Sequence, residues 1–309
     1  MDFFGQLLNA LPGAVSQGLI WGIMAIGVYI TYRILDVADL TVDGSFATGG
    51  VVAIILILNG WNLWLAMLMA FITGLLAGAI TGLLHTLMGI PAILAGILSQ
   101  LALYSINLKI LGKANMAVNV NQTDLLISLR WVKELAFHNP LITVTVVVAL
   151  LIAVLYWFFG REIGCALRAT GANMNMARAQ GINTSFNKVI GIMLSNGLVA
   201  LSGAFLTQYQ GFADIKMGQG AIVIGLAAVI IGEAIFGKIF KNFALRLLSV
   251  VLGAIIYYIV IQAVITLGFD ANLLKLLSAS IVAIFLAIPY WKKKHKETHM
   301  VKNGGKKNA

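Results

Sequence analysis

Long apolar stretches separated by short polar breaks organise this chain from end to end. Windows of about 19 residues mark segments near 13–33, 43–59, 62–85, 91–111, 140–159, 187–209, 217–236, 246–267 and 273–290. The runs are continuous and lack the period-two alternation of a membrane barrel, so helices are the elements they predict. About 20 apolar residues carry a helix across hydrocarbon, and the pattern gives nine candidates. The second is expected to be short or broken. Asp36, Asp39 and Asp43 crowd its start, and Gly44, Gly49 and Gly50 lower its helix propensity.

Composition turns this pattern into a statement about solvent. The chain is 60% hydrophobic and 10% charged, where soluble domains carry about 25% charged residues. Hydrocarbon offers backbone groups no water to bond, so each must be paired within the protein, and the expected fold class is an all-α integral membrane protein. Cys165 is the single cysteine, which excludes an intrachain disulfide framework and cysteine-rich metal sites. His85 has no second His, Cys or carboxylate at ligand spacing, and no metal is expected.

Charge adds orientation. With the amino terminus outside and the carboxyl terminus in the cytoplasm, the inner segments collect Arg33, Arg161, Arg168, Arg178, Lys188, Lys238, Lys241, Arg246 and seven lysines of the 291–309 tail. The outer side keeps Lys109, Lys113, Arg130, Lys133, Lys216 and Lys275. This is the positive-inside bias of a multi-pass protein of the plasma membrane. The net charge of +10 is therefore topological, and the lysine tail reads as a lipid-facing anchor and not as a nucleic-acid patch, since it lacks base-stacking aromatics.

A repeat underlies the helix order. Val37-Ala38-Asp39-Leu40-Thr41-Val42 recurs 175 residues later as Phe212-Ala213-Asp214-Ile215-Lys216-Met217. Five predicted helices separate the copies, which predicts an inverted repeat, a frequent transporter design. The expected organisation is a transmembrane domain over 1–290. It has a first repeat at about 13–111, a linking helix at 140–159, a coupling loop at 160–186, a second repeat at about 187–290, and then the basic tail at 291–309.

The most polar internal segment runs from Gly160 to Asn183, where Asn173 can cap a short helix that Gly181 ends. Gly160-Arg161, Arg168-Ala169-Thr170-Gly171-Ala172-Asn173, Met176-Ala177 and Gly181-Ile182-Asn183 resemble the cytoplasmic coupling loop of the branched-chain amino acid and ribose permease family of ABC importers, with the type II importer fold. Ser202-Gly203-Ala204, Gln208-Tyr209, the Ala227–Gly232 stretch and the Asp39–Ser45 stretch extend the resemblance over nearly the whole chain.

The resemblance implies a homodimeric or pseudodimeric pore, with a second permease copy as homodimer favoured, two cytoplasmic ABC ATPase subunits, and an extracytoplasmic solute-binding protein. It also implies that Arg168, Ala169, Thr170, Gly171, Ala172, Asn173, Met174, Met176, Ala177, Arg178 and Gly181 form the ATPase-coupling segment. No cofactor is expected on this chain, with ATP and Mg belonging to the partner ATPase. Gly232–Lys238 matches the opening of a P-loop, but Ile239 stands where Ser or Thr must reach magnesium. The chain is thus expected to be a transport subunit and no enzyme. The Asp39–Phe46 run resembles the tryptophan and tyrosine importer subgroup, so an amino acid is the expected small-molecule solute. Sugars and nucleosides, which relatives of this fold carry, are the alternatives.

Polar side chains inside spans are costly and mark candidate paths. Asp39, Ser45, Ser99, Gln100, Asn107, Asn196, Gln208 and Gln262 are the candidates for a translocation path. Each can instead bond a neighbouring helix. Ala66, Ala70, Gly74, Gly78 and Gly82 recur every fourth residue and predict a close helix contact, within the chain or between copies. An ion-coupled secondary transporter is the competing class, but it usually carries acids in mid-span, whereas here they cluster at helix ends.

Overall fold

The computed structural model describes residues 3–118, 125–132 and 139–268, together with 276, 279–280, 282–284 and 287. Helices α1 (Phe3–Tyr29), α2 (Thr41–Leu58), α3 (Leu63–Thr86), α4 (Ala92–Leu111) and α5 (Pro140–Phe159) are followed by two short ones, α6 (Glu162–Ala172) and α7 (Met174–Ala179). Helices α8 (Thr184–Gln210), α9 (Ala221–Phe236) and α10 (Phe243–Thr266) complete the bundle. Two three-residue strands, β1 (Asn115–Ala117) and β2 (Phe212–Asp214), pair antiparallel with Met116 opposite Ala213.

Among the described residues seven helices are long and apolar enough to cross a membrane, and α9 is a shorter apolar helix. Eight of the nine predicted segments thus appear as helices, and the ninth, 273–290, and the basic tail lie largely or wholly outside the described residues. The seventh segment starts later than expected, because Met217–Gly220 forms turns and Gly220 adopts a left-handed conformation before α9 begins. The second segment is neither short nor broken: α2 runs unbroken for 18 residues. Its glycines are retained for contact. A Cβ on Gly49 would meet the backbone of Ala200 on α8, so the low helix propensity is offset by interhelical packing.

Helix α8 is the axis of the bundle, with most of its length buried. The two most extensive helix contacts are α3 with α8 and α1 with α10. In the predicted repeat these are the same contact twice, the first helix of one half against the third helix of the other. The small-residue stripe on α3 makes the first of them. Ala66 and Ala70 are fully buried, and Cβ atoms on Gly74, Gly78 and Gly82 would meet Asn196, Ile192 and Val189 of α8. The stripe is therefore a contact within the chain. Hydroxyls tie α8 to α1, with Ser195 Oγ donating to the Gly27 carbonyl at 2.7 Å and Ser202 Oγ to that of Ile20 at 2.7 Å. Helix α5, by contrast, is only 17% buried across its most apolar window and presents most of its surface outward.

Candidate functional site

Three features stand out against this apolar frame. The first is the polar segment between α5 and α8. Sequence reading expected one short helix there, and the structure has two. The missed helix, α6, carries its own periodicity: Gly164, Leu167 and Thr170 are buried at three-residue spacing while Arg161, Cys165 and Arg168 are exposed. Asn173 then takes an extended conformation and its side chain accepts from the Met176 backbone N–H at 3.0 Å, starting α7 as the capping pattern predicts. Gly181 closes the segment at φ 78°, a left-handed turn that a side chain would strain.

The segment is fastened to the spans on either side. Leu167 is fully buried, and Gly191 of α8 packs against both Leu167 and Leu35. The Asn187 amide donates to Thr170 Oγ1 at 3.3 Å, and Arg178 Nε donates to Thr184 Oγ1 at 2.9 Å. Gly171 lies directly against the Ile34 carbonyl, so close that any Cβ would collide. Ile34 ends a π-helical turn, Ile30–Ile34, which finishes α1 and leads to Asp36 at φ 54°. Such turns leave backbone less tightly committed than an α-helix and recur at functional sites. Exposed on the segment are Ala172, Asn173, Asn175 and Met176, the last 53% exposed. Ala177, by contrast, is fully buried.

The second feature is a buried polar cluster where α2, α3, α4 and α8 meet. Asp39 Oδ1 accepts from the Thr41 backbone N–H at 2.9 Å, while Oδ2 accepts from Asn196 Nδ2 at 2.6 Å. Ser45 Oγ donates to Asn196 Oδ1 at 2.6 Å. Thr41 and Thr81 hydroxyls lie 2.8 Å apart, and Thr81 donates to Ser99 Oγ at 2.7 Å. Asp39, Ser45, Ser99 and Asn196, four of the eight path candidates, are thus brought together. Thr81 was missed, since a threonine in an apolar helix is too common to signal anything from sequence. The position that the predicted repeat pairs with Asp39 makes a similar turn. Asp214 Oδ1 accepts from the Lys216 N–H at 2.7 Å, the same i to i+2 turn that Asp39 makes with Thr41.

The other four candidates lie apart. Gln208 is buried, accepts from the Leu126 N–H at 2.9 Å and points its amide at Met67 Sδ at 3.0 Å, so it pins the 125–132 segment. Gln262 borders a separate cavity with Asn9, Gln17 and Tyr209. Asn107 is fully buried with neither amide atom partnered among the described residues. Gln100 is half-buried, with its backbone against Gly44.

Beside Gly44 lies the third feature. The Asp43 carboxylate accepts from the backbone N–H groups of Gly220 at 2.9 Å and Ile222 at 3.0 Å, capping α9 from the other half of the chain. Gly218 packs on the Asp43 carbonyl. Irregular backbone, two helix starts and the exposed Gln219 and Gly220 therefore meet at Asp43, while Gln100 of α4 backs onto the neighbouring Gly44. At the opposite ends of α1 and α9, Arg33 Nε meets Glu233 Oε1 at 2.9 Å.

The chain matches the family described as branched-chain amino acid transport system, permease component, over residues 11–288. It is 36% identical to a tyrosine transport system permease protein of Clostridioides difficile over 280 residues, covering 91% of each chain. It is also 34% identical to an uncharacterised protein of Rickettsia prowazekii, covering 91% of this chain and 98% of that one. Similarity to the fructose import permease protein FruF of Bifidobacterium longum is 27%, covering 88% of this chain and 77% of the relative. No solved structure matches.

Proposed function

We propose that this chain, which belongs to the family of branched-chain amino acid transport permease components and is the permease component of a type II ABC importer, moves an aromatic amino acid inward. The observation that carries the solute is the 36% identity to a tyrosine transport permease, against 27% to a fructose permease. Sugar import is the second reading.

Coupling is assigned to α6 and α7. A partner ATPase would dock on the exposed Ala172, Asn173, Asn175 and Met176, while Gly171 against Ile34 and Leu167 against Gly191 carry its movement into α1 and α8. Rigid contacts of this kind transmit displacement because packed interfaces slide or rotate as units. ATP and magnesium would be handled entirely in that partner. On this reading α7 lies in the cytoplasm and the amino terminus outside, and the predicted ninth segment would return the carboxyl terminus to the cytoplasm.

The solute path is assigned to the face where Asp43 meets the start of α9, with Gln100 behind the adjacent Gly44. Non-helical backbone is tolerated at membrane depth only where protein covers it or water fills a path. A second copy of the permease facing this surface would supply both. The buried cluster of Asp39, Ser45 and Asn196 holds α2 against α8 behind that face.

The test is a thermal-shift screen of the cognate binding protein against amino acids, sugars and nucleosides, followed by ATP-driven uptake into proteoliposomes of the complete complex. Tyrosine or tryptophan is the expected hit. A sugar that stabilises the binding protein and is taken up in place of amino acids overturns the solute assignment.

A further inference from the structure

At the end of the bundle that carries α6, two adjoining cavities of ≈ 460 and ≈ 560 Å³ form a continuous groove. They share Arg168, Lys241 and Phe243, and Arg33, Arg246 and Arg161 complete the lining charge. Among the described residues the one carboxylate in an ion pair with these five cations is Glu233, which holds Arg33. Lys241, Asn242 and Phe243 also open α10, whose cap residue Asn242 makes no side-chain capping bond, so free backbone N–H groups add to the positive potential. Nothing in the coupling or path assignments uses Lys241, Arg246 or Arg161.

One wall of the groove indicates what kind of anion it takes. Tyr156 and Trp157 line it from the last turn of α5, the most outward-facing span, and are 49% and 60% exposed. The Arg161 guanidinium stacks 5.0 Å over the Trp157 ring. Aromatic rings of this amphipathic kind settle at the headgroup level of a bilayer, and basic pockets between spans at that depth suit phosphate headgroups. We propose that this groove binds the phosphodiester headgroup of an anionic phospholipid, with cardiolipin as the probe. Lys241, Arg246 and Arg168 contact phosphate, Phe243 floors the site, and the acyl chains leave along α5. The inference needs only a membrane-embedded chain, and the groove shares one wall, Ile34, Gly171 and Ala172, with the proposed coupling contact.

Native mass spectrometry of the full-length protein, titrated with cardiolipin, phosphatidylglycerol or phosphatidylcholine, reads the binding directly. Cardiolipin is expected to bind in preference to phosphatidylcholine, and Lys241→Gln with Arg246→Gln to weaken it about thirtyfold, from ~1 kcal/mol per removed cation. Lys109→Gln, at the far end of α4, serves as the folded control and retains binding. Equal binding by the double variant, or equal affinity for phosphatidylcholine, overturns the proposal. So does displacement of cardiolipin by inorganic phosphate, which makes the ligand a free anion, or by the partner ATPase, which makes the groove a protein-docking surface. Because uptake is not measured, failure here leaves the transport assignment standing, and failed uptake leaves this one standing.

Discussion

Replacing Asn196 with alanine tests the buried cluster quantitatively. The amide makes three bonds at once, donating to Asp39 Oδ2 and the Ile192 carbonyl and accepting from Ser45. Their losses are unequal. Ser45 can turn its hydroxyl to a carbonyl one turn back along α2, as Thr48 already does toward Gly44, so its share is small. Asp39 is fixed by its Oδ1 bond to Thr41 and is 3% exposed, so Oδ2 is left buried without this donor. Stranding such a group costs about 1–3 kcal/mol, and the space vacated by the amide adds about 1 kcal/mol. Membrane hydrogen bonds measured by double-mutant cycles average only ~0.6 kcal/mol, so the Ser45–Asn196 coupling should be near that value while the Asn196→Ala total reaches about 3 kcal/mol. The assay is thermal unfolding in detergent with Ser45→Ala, Asn196→Ala and the double variant. Ser105→Ala serves as control, since that exposed hydroxyl makes only a 3.5 Å bond to its own helix. An Asn196→Ala cost no larger than that of Ser105→Ala would refute the reasoning.

Other expectations follow from the same contacts. Gly78→Leu places a branched side chain where even a Cβ meets the Ile192 carbonyl, so α3 cannot approach α8, and folded protein should vanish from size-exclusion profiles. Gln208→Ala releases the Leu126 N–H, and limited proteolysis should cut the 125–132 segment faster without loss of the bundle. Asp43→Ala uncaps α9 at a cost of about 1–2 kcal/mol, read as a lowered melting temperature, with Asp43→Asn recovering part of it. Arg33→Gln should shift stability by less than ~1 kcal/mol, because that pair is 60% and 36% exposed.

How far the chain could be read from its letters depended on the range of the interaction. Spans are recorded locally, in runs of apolar residues, and eight of the predicted segments appear as helices close to the expected places. Caps are local too, and Asn173 and Gly181 act as their residue types require. Helix α6 was hidden because Leu167 is the one strongly apolar residue of its buried stripe, flanked by Gly164 and Thr170 and set between charged residues. The α3 stripe revealed a close contact but not its partner, since glycine spacing says nothing about which helix arrives. Pairings such as Arg33 with Glu233, 200 positions apart, or Asp43 with Gly220 at the start of α9, 177 apart, leave no local trace. For Gln208 the polar residue type suggested a path and the fold uses it as a pin, both readings being equally consistent with an amide in a span.

The structure also sharpens where coupling should be tested. Ala177 is buried, so enlarging it would disturb α7 itself, whereas Ala172 is exposed beside Gly171 and the Ile34 contact. The most direct measurement is ATP hydrolysis by the reconstituted complex of this permease with its ATPase, with and without loaded binding protein, comparing the native chain with Ala172→Trp. Stimulation in the native complex and its loss in Ala172→Trp, with membrane insertion and melting temperature unchanged, is the predicted result. Equal stimulation in both, or no association with an ATPase at all, would contradict the account.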